Sequence, residues 1–357
     1  MKTLYSFQSQ DYWPEFDVPN GIEIFKKLNR QNTPKILGGT SCSIKIDYSA
    51  PVLTEFLRIY NDNEPTLQIT PNVNILSSGG RGCVGNRACS FCTAYFLGKK
   101  EYIPENNFFL QTDKFADCGI KSMLASDNAI NLSKPIVYNT FLRRVEYAFN
   151  KNVPIRHFLS RPDFIAKTSL EYLIKLKALS VQTVLLGVES GNADTLRAMK
   201  KPIKNGFEEK FKESCRIAAK KLFLAGIKPT FSVIVGYPVE GINGEKADKD
   251  TLAFLNELIR LSGYKAKAEI HLLHLAPKSE IYTNLLKRGA NPDSLDDCNY
   301  ENEIEYRKFK NKFEEDTGLV FEEQIFNWNE SFIKEFLTFL FKRRESLNEL
   351  LIKKYRF

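Results

Sequence analysis

Apolar and polar positions follow two different periods along the middle of the chain. Short apolar runs occur at 73–78 (VNILSS), 119–126 (GIKSMLAS), 153–160 (VPIRHFLS), 181–188 (VQTVLLGV), 230–236 (TFSVIVG) and 268–277 (AEIHLLHLAP). Their length and β-branched content predict strands. Between them lie segments of helical spacing. TFLRRVEYAFNKN precedes the third strand, and EYLIKLKALS (171–180) carries Leu173, Ile174 and Leu176 on one side. GFEEKFKESCRIAAKKLFLAGIKP (206–229) is a long helix closed by Gly226 and Pro229, as a C-cap glycine and a following proline close one. DKDTLAFLNELIRLSG (248–263) is another helix. Strands alternating with helices predict parallel β/α units, and near-continuous apolar strands suit a sheet covered by helices. The pattern fits an open doubly wound sheet or a partial barrel. In both, ligands sit at the carboxyl ends of the strands.

Outside these units the pattern changes. Residues 1–72 hold Pro14, Pro19, Pro34 and Pro51 and no long periodic segment, which predicts an N-terminal extension covering or closing the side of the core. Toward the other end, 298–357 is helical in pattern, with Phe332, Phe336, Phe339 and Leu340 recurring at helical spacing. The expected division is 1–72, 73–290 and 291–357.

Composition narrows the class. The net charge of +8, from 51 basic and 43 acidic residues, admits an anionic partner without demanding one. No apolar run approaches the roughly 18 residues of a membrane span, and the first residues lack the apolar core of a signal peptide. Seven scattered cysteines, an odd count, argue for reduced thiols and a cytoplasmic location rather than a disulfide framework.

Three of those cysteines share one loop. In GGRGCVGNRACSFCTAYF (79–96), Cys83, Cys89 and Cys92 are spaced C-x5-C-x2-C, with no histidine nearby and Gly79, Gly80, Gly82 and Gly85 around them. Structural zinc takes four closed ligands, and a fourth here would have to be the distant Cys118. An iron–sulfur cubane bound by three thiolates instead keeps one iron open for a chelating molecule. The loop follows the first strand and so lies at the strand ends where ligands bind. Cys42, Cys118, Cys215 and Cys298 are too dispersed for a second cluster, and Cys215 falls mid-helix, where it is expected to pack. His271 and His274 face opposite sides of a strand and do not form a metal pair.

With its cysteine triad, the chain resembles the radical S-adenosylmethionine (radical SAM) superfamily, whose usual motif is C-x3-C-x-aromatic-C. Cys89-Ser90-Phe91-Cys92 supplies the aromatic residue as Phe91, while the first gap holds five residues rather than three. LLGVESGNADTLRAMKK (185–201) is similar to the fourth-strand stretch of barrels related to methylthiotransferases and cobalamin-dependent members. VIVGYPVEG (233–241) is similar to the fifth-strand stretch beside the adenine, and HLAPKSEIY (274–282) to the sixth-strand end. ASDNAINLSKPIVY (125–138) takes the place of the second-strand polar motif, reading Ser126-Asp127-Asn128 where many members have Gly-Gly-Glu.

The resemblance implies an α/β fold, a partial (β/α)6 TIM-like barrel with an N-terminal extension and a C-terminal helical region. It implies a 4Fe-4S cluster on Cys83, Cys89 and Cys92, with S-adenosylmethionine on the open iron. Phe91 would pack near the adenine or cluster, and Ser126, Asp127 and Asn128 would meet the methionine amine or substrate. Arg161 would meet the methionine carboxylate, while Glu189 and Ser190 would bond the ribose or ammonium. Gly236 would let the backbone approach the adenine, and Glu240 would bond a nearby loop. Ser190 or Asn192 would equally well cap the helix that follows. The implied reaction is reductive cleavage of S-adenosylmethionine, by an electron from a low-potential donor, to a 5′-deoxyadenosyl radical that abstracts hydrogen. A small molecule or cofactor precursor is slightly favoured as substrate over tRNA or a peptide. The competing class is a non-catalytic zinc or iron–sulfur protein that binds RNA.

Overall fold

The computed structural model describes residues 72–73, 76, 89–92, 103–117, 119–125, 129–201, 206–238, 243–287 and 292–352; backbone alone is described at 72–73, 292–303, 322 and 344–352. The expected N-terminal extension lies outside these residues but for its last position. Six strands follow in chain order, β1 (Asn72–Val73), β2 (Met123–Ala125), β3 (Ile155–Ser160), β4 (Thr183–Glu189), β5 (Lys228–Val235) and β6 (Lys267–Leu272). β2 runs parallel to both β1 and β3, and β6 runs parallel to β5. The fold is the α/β class of the expected barrel.

By contacts the chain divides into two units. The first holds β1, β2 and nearly all of β3, with α1 (Glu105–Asp117) and α2 (Pro135–Asn150). Its core gathers Phe108, Phe115, Met123, Phe141, Val145, Ile155 and Phe158. Helix α1 escaped the sequence reading because its buried stripe, Phe108, Gln111, Thr112 and Phe115, is half polar. Thr112 satisfies its hydroxyl by donating to the Phe108 carbonyl, 2.9 Å away, so burial there is not written as hydrophobicity.

The second unit holds the cysteine turn, α3 (Pro162–Lys167), nearly all of β4, α5 (Ala193–Ala198), α6 (Glu208–Leu224), β5, α7 (Gly244–Leu261), β6 and α8 (Glu280–Lys287). It continues through α9 (Pro292–Thr317), α10 (Phe321–Phe326) and α11 (Glu330–Ile352). In β4, Val184, Leu186 and Val188 are fully buried on one face. Leu185, Gly187 and Glu189 therefore share the other. Helix α6 buries Phe211, Cys215, Ala218, Ala219 and Leu222 on a stripe of helical period. It ends as its glycine predicts. Gly226 takes φ +71, its N–H bonds to the Phe223 carbonyl, and the Ile227 N–H bonds to Leu222. This closing pattern satisfies two orphan carbonyls.

Three local expectations are corrected. Ile174, grouped with Leu173 and Leu176, is exposed while those two are buried. On the helix between them (α4, Leu170–Ala178) each residue turns about 100°, which carries Ile174 off the narrow buried stripe. The sixth strand stops at Leu272 rather than 277. His274 therefore lies beyond the strand, exposed, and the argument from strand faces does not reach it. The long helix begins at Glu208, not 206. Gly206 has φ +81, which a helix cannot accommodate.

The C-terminal helices form an aromatic core, as the spacing of Phe332, Phe336 and Leu340 predicts. Phe321 meets Phe336 edge-on at 5.1 Å and Phe332 at 5.0 Å, while Phe309 stacks on Phe339 at 4.6 Å. Asn256 of α7 donates its side-chain amide to the Ile325 and Phe326 carbonyls, at 3.0 and 2.5 Å, satisfying the open end of α10.

Candidate active site

Cys89 and Cys92 sit on one tight turn closed by the Cys92 N–H donating to the Cys89 carbonyl at 3.0 Å. Both are half-buried thiols outside any disulfide. Between them, Ser90 is buried and every polar group it has is used. Its N–H donates to the Met199 carbonyl (3.0 Å) and its carbonyl accepts from the Ile281 N–H (2.9 Å). Its hydroxyl donates to the Ala198 carbonyl (3.0 Å) and lies 2.7 Å from the Tyr237 hydroxyl. Phe91 packs, partly buried, against Met199, Tyr237, Leu273, Leu275, Tyr282 and Leu285. Burial pushes the Tyr237 hydroxyl up to about 12, against the lowering effect of its bond to Ser90 and with help from the charges of Glu280 and Cys89. It stays protonated at neutral pH.

The same unit holds a set of buried charges. Lys201 Nζ donates to Glu189 Oε1 at 2.7 Å, with both side chains almost wholly buried. Burial alone would depress the Lys201 ammonium, but Glu189 and Cys89 outweigh it, against a further push from Arg161, and hold the pKa above the ordinary lysine value. The pair shapes its own strand. Glu189 has φ +67, and the Ser190 N–H reaches back to the Val188 carbonyl at 2.9 Å. This is a three-residue turn of the strained γ type, at a cost on the order of 1–3 kcal/mol. A Cβ on Gly187 would fall 2.4 Å from Glu189 Oε1 and 3.0 Å from Lys201 Nζ. Gly187 is therefore the space the ion pair occupies. Arg161, at the start of α3, is buried over the Phe164 ring and donates from Nε and Nη2 to Asp163, at 2.8 and 3.3 Å.

Helix α7 braces two strand exits. The Ser190 hydroxyl pairs with Thr251 at 2.8 Å, and the Gly191 N–H donates to Thr251 at 3.2 Å. Asn192 donates to Asp250 at 2.9 Å. Gly191 lies so close to the helix that a Cβ would come within 2.5 Å of the Asp250 carbonyl and of Phe254 Cβ. Asn192 caps α5 by accepting from the Thr195 N–H at 3.0 Å. After β5, Gly236 takes φ +74 and its N–H donates to the buried Asp248 carboxylate at 3.0 Å.

The second unit thus contains Cys89, Phe91, Cys92, Arg161, Glu189, Ser190 and Gly236 of the residues singled out by sequence. Glu189 is paired with Lys201 at 2.7 Å. Ser190 and Gly236 are engaged by α7 through hydroxyl and backbone bonds. Cys83, Ser126, Asp127, Asn128 and Glu240 lie outside the described residues. Sequence reasoning missed Ser90, Lys201 and Tyr237. Each falls inside a quoted motif, but a serine, a lysine in a basic pair and an aromatic beside a proline carry no periodic or spacing signal. Among the described residues, no group of three or more His, Cys, Asp or Glu side chains could hold a metal ion by itself. The donor set present still suits thiolate-bound iron: two thiols on one turn, with the charge of Cys89 helping to hold the buried Lys201 ammonium above its ordinary value.

Residues 77–249 match the family model "Radical SAM superfamily". No curated protein matches the sequence. Among solved structures, the chain is similar to the cobalamin- and [4Fe-4S]-bound radical S-adenosylmethionine methyltransferase TsrM from Kitasatospora setae. There the identity is 16% and the TM-score 0.49, over 69% of this chain and 41% of that one. Against coproporphyrinogen III oxidase from Escherichia coli, described as a radical SAM enzyme, the identity is 13% and the TM-score 0.41, over 68% and 56%. Against the FeFe-hydrogenase maturase HydG from Carboxydothermus hydrogenoformans they are 15% and 0.39, over 73% and 59%. The chain spans about two fifths of the length of TsrM and less than two thirds of the other two. Among the described residues no helix is long and apolar enough to cross a membrane.

Proposed function

We propose, from the match of residues 77–249 to the radical SAM family model, that the chain is a radical SAM enzyme. The cofactors expected of the family are a [4Fe-4S] cluster and S-adenosylmethionine. Cys83, Cys89 and Cys92, in the C-x5-C-x2-C spacing, would hold the cluster and leave one iron open. The observation that carries this reading is the Cys89–Cys92 turn together with the buried Lys201–Glu189 pair of the same unit. The chemistry such a group supplies is one-electron reductive cleavage of S-adenosylmethionine to methionine and a 5′-deoxyadenosyl radical, which takes a hydrogen atom from a substrate.

The residues of this chain bind and shield. The methionine part of the nucleotide is a zwitterion, and the buried set is likewise balanced, Lys201 matched by Glu189 and Arg161 by Asp163. An incoming carboxylate can take a place beside Arg161 or Lys201, and an incoming ammonium beside Glu189, with no net charge buried. By the sequence resemblance, Ser126, Asp127 and Asn128 would meet the amine or substrate, Phe91 and Gly236 the adenine side, Glu189 and Ser190 the ribose or ammonium, and Glu240 a nearby loop. The Gly236 turn presents backbone without side-chain bulk. The likeness of GVESG to methylthiotransferase and cobalamin-type barrels belongs to this same reading. So do the division at 72 and 290, a cytoplasmic location, a low-potential electron donor, and a small molecule or cofactor precursor as the favoured substrate ahead of tRNA and peptide.

The test is anaerobic purification and reconstitution, reduction in the presence of S-adenosylmethionine, and assay of 5′-deoxyadenosine. Wild type is expected to hold about four irons per chain and release the nucleoside, while Cys89→Ala does neither. A fully loaded wild-type protein that forms no 5′-deoxyadenosine, or one that binds zinc in place of iron, overturns the proposal.

A further inference from the structure

We propose that Ser90 and Tyr237 act as a lock that positions the Cys89–Cys92 turn, and with it the cluster; this rests on the reading that these thiolates bind one. The geometry assigns the direction of each bond. Ser90 has one hydroxyl hydrogen. The Ala198 carbonyl, 3.0 Å away, can only accept, so the hydrogen goes there. In the 2.7 Å contact with Tyr237 the phenol is then the donor. The order is Tyr237 O–H to Ser90 Oγ, and Ser90 O–H to Ala198.

The lock ties the turn to three elements. The Ala198 and Met199 carbonyls are those left open at the C-terminal end of α5, and Ser90 fills both, one from its hydroxyl and one from its N–H. The Ile281 N–H, in the first turn of α8, is one of the open donors of that helix and finds its acceptor in the Ser90 carbonyl. Tyr237, just past β5, is fixed by its apolar surroundings of Met199, Leu273, Leu275, Tyr282 and Leu285. A serine between two proposed cluster ligands thus registers the turn against α5, α8 and the exit of β5 at once. Ser90 and Tyr237 touch no reacting atom in this scheme; they act through the cysteines.

The experiment uses the full chain, reconstituted anaerobically, as wild type, Tyr237→Phe, Ser90→Ala and the double variant. Four quantities are read: iron per chain, the rate of iron release to an excess of ferrous chelator, the EPR spectrum of the reduced cluster with and without S-adenosylmethionine, and the unfolding temperature of the cluster-free protein. Tyr237→Phe removes one oxygen from a site that keeps its ring. It is expected to load iron fully, release it about three- to tenfold faster, and shift the EPR line shape. In the Ser90→Ala background the same change should have less than about a twofold effect, because its acceptor is already gone. Release at the wild-type rate with an unchanged spectrum overturns the lock, as does a double variant whose two effects simply multiply. A wild-type protein that binds no iron removes the cluster reading and the lock together, whereas a loaded wild type with indifferent variants removes the lock alone. If Ser90→Ala fails to fold, Tyr237→Phe decides by its release rate and spectrum.

Discussion

Breaking one side of the Lys201–Glu189 pair should cost more than removing both. The two charges are 2.7 Å apart with side chains 7% and 10% exposed. At an effective dielectric constant of about 20 their attraction is about 6 kcal/mol, and removing two ions from water costs several kcal/mol each. The pair is therefore close to neutral as a unit, and a lone survivor keeps the cost without the gain. Lys201→Met should destabilise the cluster-free protein by about 3–5 kcal/mol and Glu189→Gln by somewhat less, since the amide oxygen still accepts a hydrogen bond. The double variant should recover most of the loss, giving a coupling of at least about 2 kcal/mol. Gly187→Ala should mimic the single breaks, because its methyl occupies the place of the carboxylate oxygen. Its cost should shrink in a Glu189→Ala, Lys201→Met background, where that place is vacant. Urea unfolding followed by far-ultraviolet circular dichroism measures all of these. If Lys201→Met and Glu189→Gln add to within about 0.5 kcal/mol, the two residues act independently and the account of the buried pair is wrong.

Three further outcomes follow from the same geometry. Gly191→Ala should cost at least about 1–3 kcal/mol, because its Cβ would meet backbone of α7 at 2.5 Å; thermal unfolding would show it, and a neutral result would refute the close approach. In cluster-free protein, iodoacetamide should modify Cys89 and Cys92 and spare Cys215, whose thiol is pushed well up by burial; peptide mass spectrometry reads the difference. Glu208 is held below its ordinary value of 4.5, because backbone N–H groups of Glu208 and Gly206 and the charge of Arg197 outweigh the upward push of burial. A depressed folded-state pKa gives stability that is full above about 4.5 and lost as pH falls through the folded value. Glu208→Gln should therefore lower the unfolding temperature at pH 7, with the gap to wild type closing as pH falls below 4.5 and through the lowered folded value; a gap independent of pH would contradict this.

Much of the site's neighbourhood could be read from the chain because it is written in local chemistry. Cys89 and Cys92 lie three positions apart and share one turn, so spacing alone predicts that two thiols sit on it. Asn192 before ADTLRA predicts a cap, and Gly226 before Pro229 a helix end, because caps and left-handed residues are satisfied within a few positions. The strands were legible as apolar runs, and the Phe332, Phe336 and Leu340 stripe as a packed helix, since burial of a stripe follows from period alone.

What the tertiary structure decided are the long-range partners. GVESG reads as a candidate ligand motif, but its two glycines answer to different neighbours, Gly187 to the Glu189–Lys201 pair and Gly191 to α7. Ser90 looks like filler between two cysteines until Ala198, Met199, Tyr237 and Ile281 close around it, from 108 to 191 positions away. Hydrogen bonds and ion pairs are satisfied by whatever polar group the fold delivers, and a residue's type constrains its partner's chemistry without naming its position. Local spacing and period settled the elements and the two-cysteine turn; the fold alone chose which tyrosine bonds its serine and which lysine pairs with Glu189.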